Sequence, residues 1–218
     1  MQKRQSMTCK KNMILQNYCG AMSEILKHLN TLWQKSEGVS EKKWHKYCLD
    51  NAKVVEIKSV YDVLTNEEIE RLKEYFPPMQ GRCYENAHKA TTICNVEYVE
   101  GYTVVGGYPL KHAFNKRGND HFDVTLEMVL GFLGTEYVSL CEIDGLECTR
   151  IALRTGYYGN YCTYLYNEAI TNKAEQRRKQ QKAYYRQNRE KKLKYQRKYY
   201  EDNREQEIER HRKIRKRY

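Results

Sequence analysis

Residues 112–125 read HAFNKRGNDHFDVT: a histidine opening a short apolar run, a polar turn, and an aspartate inside a second short run. The pattern predicts a β-hairpin with strands His112–Asn115 and Phe122–Thr125 and a turn over Lys116–Asn119. In that register His112 and Asp123 lie roughly opposite one another, within reach for a side-chain contact. Because the side-chain period of a strand is two, a slip of one residue would turn Asp123 away and leave Asp120 as the nearer carboxylate. The stretch is therefore either an ordinary hairpin or a rigid holder for a His–Asp pair that lacks a nucleophile.

Upstream, GRCYENAHKATTIC (81–94) follows the Pro77-Pro78 pair, which forbids continuation of any preceding helix. A new helix is expected to begin near Cys83. A cysteine becomes a useful nucleophile only when its ordinary pKa of about 8.5 is overcome, and a helix start together with an imidazole can do that. The first-turn amides could also meet a developing oxyanion, with Gln80 as the one side-chain candidate for the same task. His88 falls five residues after Cys83, roughly 140° around a helix, and is off its face. VEYVEGYTVV (96–105) then reads as a strand, GGYP as a turn, and Tyr137–Ile143 and Tyr161–Tyr166 as further strands. Helix followed by strands makes the middle of the chain α+β.

The segment from Met13 to Trp33 sets Ile14, Tyr18, Met22, Ile25, Leu26, Leu29, Leu32 and Trp33 at spacings of three and four, one face of an amphipathic helix. A looser polar stretch runs through Lys53. Thr65-Asn66-Glu67-Glu68 is a capping box ahead of Ile69, Leu72 and Tyr75. Three regions are expected: an N-terminal helical region (1–53), an α+β domain (54–166) and a tail (167–218).

The order of GRCYENA, VEYVEGY, HAFN and DVT over residues 81–125 resembles the transglutaminase-like branch of the papain-like cysteine enzymes. That family carries a Gly-x-Cys at a helix start, a Val-x-Gly-Tyr-like strand, a His-Ala-Trp strand and an Asp-Pro-Thr strand. Phe114 stands where Trp is usual, Val124 where Pro is common, and His121 where an aromatic often precedes the aspartate. The resemblance implies a papain/transglutaminase-like core with the Cys-bearing helix packed on an antiparallel sheet. It also implies Cys83 as nucleophile, His112 as general base and then acid, and Asp123 as the orienting group. The substrate would be a protein or peptide amide, hydrolysed rather than crosslinked, with no cofactor.

Composition adds a second theme. The formal charge of +11 divides as +3 over residues 1–80, −4 over 81–170 and +12 over 171–218, so the basic character belongs to the tail. KAYYRQNRE (182–190) recurs as RKYYEDNRE (197–205), and neither Pro nor Gly follows Gly159. A long solvent-facing helix from about Asn167 is expected, either a solvated arm or a surface for nucleic acid or another polyanion. On the second reading Arg177, Arg178, Lys182, Arg189, Lys191 and Lys192 would neutralise phosphates while Tyr184, Tyr185, Tyr199 and Tyr200 stack on bases. This defines the alternative function, a nucleic-acid-binding protein with a non-catalytic middle domain.

Eight cysteines are present, but no two are separated by the two to four residues usual in zinc sites. Cys94, Cys141, Cys148, Cys162 and His121 are accordingly not expected to hold a metal. Polar residues interrupt the apolar positions of the first thirty residues, and no run approaches the roughly 18 apolar residues that span a bilayer. No membrane association and a cytoplasmic, reducing location with free thiols are expected.

Overall fold

A computed structural model describes residues 23–75 and 77–215, the side chains of 207 and 211–215 excepted. The part of the expected N-terminal helix over 13–22 lies outside the described residues. Compactness divides the chain once, between Tyr164 and Leu165, so the described N-terminal helices share a unit with the sheet.

The first unit is α+β. Helices α1 (Glu24–Lys35) and α2 (Val39–Asn51) precede strand β1 (Lys53–Val55). Two helices follow, α3 (Val60–Val63) and α4 (Asn66–Tyr75), and then α5 (Cys83–Cys94). Strands β2 (Glu97–Val105), β3 (Tyr108–Arg117), β4 (Asp120–Phe122) and β5 (Tyr137–Ile143) complete a curled sheet of order β1-β5-β2-β3-β4. Every strand pair is antiparallel. Helix α6 (Gly145–Thr155) follows the sheet.

Alternation along the strands separates two apolar clusters. Tyr102 and Val104 of β2 and Val138 and Leu140 of β5 pack with Ile25, Leu29 and Cys48 of α1 and α2. Burial of Ile25 and Leu29 is complete, and each contributes about 1.5–3 kcal/mol relative to exposure. Val99, Phe114 and Tyr137 project the other way, against Leu126. A third cluster joins Val60, Leu64, Ile69 and Leu72 of the α3–α4 region to Ala90 and Cys94 of α5 and to Phe122 and Val124.

The expected capping box is present: Glu68 N donates to Thr65 Oγ1 (3.2 Å) while Thr65 N donates to the Glu68 carboxylate (2.9 Å). The polar stretch before Lys53, expected to be loose, is helical from Val39. Its stacked Trp44 and Tyr47 rings and buried Cys48 show that packing outweighs its weak pattern. Tyr161–Tyr166, expected to be a strand, is instead the start of helix α7 (Tyr161–Asp202). Glu100 accepts from Tyr161 N (2.9 Å) and Tyr98 Oη (3.1 Å), so a buried carboxylate from β2 caps this helix start and overrides the local β preference.

In the second unit, from Leu165, α7 continues to Asp202 and α8 spans Arg204–Arg215. The described side chains there are almost all exposed.

Candidate active site

The opening hairpin is longer and tighter than its sequence suggests. Strand β3 runs Tyr108–Arg117, and its turn to β4 is only Gly118-Asn119, with the positive φ (61°) on the glycine as a II′ turn requires. The register pairs Asn115 with Phe122 and Arg117 with Asp120. Continued by parity, it sets His112 and Asp123 on one side of the hairpin, as diagonal rather than directly opposed neighbours. Asp123–Thr125 is not part of the strand. It leads into a π-helical turn, Leu126–Leu130, whose first residues close on the Asp123 carboxylate.

His112 is 5 % exposed and Asp123 is fully buried, with His112 Nε2 2.6 Å from Asp123 Oδ2. Asp123 Oδ1 accepts from the backbone amides of Thr125 (2.9 Å) and Leu126 (3.0 Å), and Oδ2 also accepts from Tyr137 Oη (2.9 Å). Four donors thus satisfy a carboxylate removed from water. Asp120 is on the opposite parity, more than a third exposed, and ion-paired with Lys58 at 2.8 Å. The pairing of His112 with Asp123 rather than Asp120 follows from that turn.

Cys83 is the first residue of α5 and is half-buried. Its side chain lies close enough to His112 to raise the histidine's pKa. Burial pulls the His112 pKa down, but the hydrogen bond with Asp123, the nearby Cys83 side chain and the charges of both outweigh it and lift the value from 6.5 to about 9. With Nε2 engaged by Asp123, Nδ1 is the ring nitrogen left for the sulfur. Elsewhere burial pushes the Cys48 thiol up to about 12 and the Cys94 thiol up to about 11, and it pushes Cys148 higher still. Of these thiols, Cys83 is the one set against an imidazole at a helix start.

Two residues that the sequence pattern does not single out hold this geometry. Asn86, one turn after Cys83 and 3 % exposed, donates to Met79 O (2.8 Å) and Thr125 Oγ1 (3.1 Å) and accepts from Met79 N (3.1 Å). It fastens the loop entering α5 to the loop that carries Asp123. Asn115 Nδ2 donates to Ala87 O (2.9 Å) and Glu97 O (3.1 Å), which ties α5 to β3 and β2. An asparagine inside a helix, where it is a poor former, is the available signal for Asn86.

Gln80 lies exposed in the turn with Gly81 (φ 74°) that precedes α5. The first-turn amides of α5 have no acceptors within their own helix. His88 faces away from Cys83, its Nδ1 3.1 Å from Tyr161 Oη. Among the described residues no group of three or more His, Cys, Asp or Glu side chains is placed to hold a metal ion.

In the tail, Arg177, Arg178, Lys182, Tyr184, Tyr185, Arg189, Lys191, Lys192, Tyr199 and Tyr200 are all exposed on α7. Lys192 Nζ sits over the rings of Tyr185 (3.9 Å) and Tyr184 (5.3 Å). Among the described residues no helix is long and apolar enough to cross a membrane. No protein-family model, no curated protein and no solved structure matches this chain.

Proposed function

We propose that this chain is a thiol-dependent acyl-transfer enzyme with a papain/transglutaminase-like core, acting on amide bonds of proteins or peptides. The observation that carries the reading is a buried His112, bonded through Nε2 to Asp123 and adjacent to the Cys83 side chain at a helix start. The Cys83 proton rests on His112, so the sulfur attacks the amide carbonyl carbon as a thiolate, and the first-turn amides of α5 receive the oxyanion. The C–N bond then breaks as His112 returns the proton to the leaving amine, which leaves a thioester. His112 next takes a proton from water, and the resulting hydroxide cleaves the thioester to a carboxylic acid, the sulfur leaving as a thiolate beside the protonated imidazole. Asp123 keeps the imidazole oriented and balances its charge throughout.

Hydrolysis is favoured over crosslinking because water is always at hand as acceptor. The chemistry needs no metal or organic cofactor, and a reducing cytoplasmic setting keeps the nucleophile a thiol. An electrophilic thiol probe at neutral pH should label Cys83 before the other seven cysteines, and His112→Ala should suppress that labelling. Uniform labelling of the cysteines would sink the proposal. Hydroxylamine added during turnover should trap the acyl group as a hydroxamate.

A second reading, nucleic-acid binding by the tail, is favoured by one observation. Both copies of the repeat keep their Tyr pair exposed and tie the following asparagine back to the first tyrosine, Asn188 to Tyr184 O (2.9 Å) and Asn203 to Tyr199 O (2.8 Å). Lysines and arginines there would meet phosphates while tyrosines stack on unpaired bases. Replacing Tyr184, Tyr185, Tyr199 and Tyr200 by Ala keeps the charge. If stacking contributes, affinity for a labelled single-stranded oligonucleotide should fall while its salt slope stays the same. An unchanged affinity would reduce the tail to a charged arm.

A further inference from the structure

We infer that Tyr137 is a fourth member of the candidate site, a positioning residue that shares the Asp123 carboxylate with His112 and holds it on the imidazole. The catalytic consequence rests on the acyl-transfer reading of Cys83, whereas the linkage itself rests on hydrogen-bond geometry. Tyr137 Oη donates to Asp123 Oδ2, the same oxygen that meets His112 Nε2. The hydroxyl has one hydrogen, and its direction is fixed from behind because Gly134 N donates to Oη at 3.0 Å. Its ring is 3 % exposed, packed edge-on to Phe114 at 5.3 Å and to His112 at 6.4 Å. Burial first, and then the Asp123 charge, push the Tyr137 hydroxyl well above its ordinary pKa, which favours its protonated, donating form.

Residue 134 must be glycine for this to work. A Cβ there would overlap Thr103 Oγ1 and crowd the Tyr137 ring, displacing the amide that aims the hydroxyl. Asp123 Oδ1 is separately pinned by two backbone amides, so removing the tyrosine hydroxyl frees one lone pair on Oδ2 without releasing the carboxylate.

The titratable groups acting on His112 are Cys83 from α5, Asp123 from the loop after β4 and Tyr137 from β5. Two donors compete for Oδ2. Loss of the tyrosine proton makes that oxygen a stronger partner for His112, and the imidazole then keeps its proton to higher pH. In Tyr137→Phe the His112 titration midpoint should rise by roughly half to one pH unit. Asp123→Asn should lower it.

The test is NMR titration of the His112 ring in the full chain, wild type against Tyr137→Phe. A folded Tyr137→Phe protein with an unmoved His112 midpoint overturns the inference. Should that variant fail to fold, the wild-type chain with 13C-labelled tyrosine decides. The Tyr137 Cζ signal should shift in step with His112, and a signal flat across that transition overturns the linkage. If Cys83 shows no preferential alkylation while Tyr137→Phe still moves His112, the acyl-transfer reading fails and the linkage stands. A reactive Cys83 beside an unmoved His112 does the opposite: the linkage fails and the acyl-transfer reading stands.

Discussion

The two units of this chain spend their polar side chains in opposite ways. In the first, polar groups are buried and shared: Asp123 serves His112, Tyr137 and two backbone amides, and Asn86 bridges two loops. In the second, from Leu165, tyrosines and charges face solvent and bond locally, as Asn188 does to Tyr184 four residues back. Shared buried polar groups make a unit cooperative, because losing one partner leaves the others unsatisfied in low dielectric. A helix of local contacts loses only what is removed. Substitutions in the first unit should therefore propagate, and those in the second should not.

The largest effect is expected at Gly101, which pairs with His112 in β2–β3 and sits beside the register shift between β2 and β5. A Cβ at this position would overlap the Val138 carbonyl oxygen, a backbone atom that can yield only by breaking the sheet. Gly101→Ala should cost more than about 3 kcal/mol and abolish the thermal transition of the sheet unit. Circular dichroism should still report the helix of the tail. If both signals disappear together, the tail depends on the sheet unit and the contrast fails.

Next comes pH. The folded His112 pKa of about 9 lies above its ordinary 6.5, so the stability it contributes is complete below pH 6.5 and is lost as pH rises through 9. The full swing is on the order of 3 kcal/mol, from the size of that shift. Urea midpoints measured from pH 6 to 9.5 should fall, and in Asp123→Asn the slope should flatten. The helical signal of residues beyond 165 should not follow either curve.

Arg117 is a smaller case of the same sharing. Its guanidinium binds Glu68 through both nitrogens (3.1 and 2.6 Å) and also donates to Val63 O (3.0 Å) and Cys94 O (2.5 Å). One side chain thus joins β3 to the α3, α4 and α5 regions. The Arg117 hydrogen bond, the largest influence, holds Glu68 down at about 2, so that stability is present above pH 4.5 and drains away as pH falls toward 2. Because Arg117 is a third exposed, Arg117→Ala should cost only roughly 2 kcal/mol. The variant should also lose the acid sensitivity that the pair confers, which a pH series of melting temperatures would show.

How much of this the sequence carries depends on whether a signal is local. Turn chemistry, the capping box and period-two alternation are local, so α4, β2 and the hairpin are legible, as is the meeting of His112 with Asp123. The boundaries of β3 are not, because Lys116 and Arg117 look like turn residues until their partners Glu97, Glu142 and Glu68 are known. The start of α7 reads wrongly as a strand because the cap, Glu100, comes from 61 residues away. Tyr137 is legible as a strand residue but not as a partner of Asp123, since nothing near it in sequence announces a contact 14 positions upstream. Pairings across the sheet are invisible to a pattern that reads only neighbours.

The smallest effect should come from the tail, and its sign should differ. Asn203 interrupts the run between α7 and α8, its backbone and side-chain nitrogens both bonded to Tyr199 O (3.0 and 2.8 Å). Asparagine side chains compete with helical geometry in this way and are poorer helix formers than alanine by a few tenths of a kcal/mol. Asn203→Ala removes the competing bond and leaves no buried group unsatisfied, because its neighbours are exposed. Helicity by circular dichroism should rise slightly, and the melting temperature of the sheet unit should stay where it is. A loss of helicity on this substitution would mean that the bond from Asn203 to Tyr199 organises the second repeat rather than merely interrupting the helix. The tail would then share polar groups as the sheet unit does.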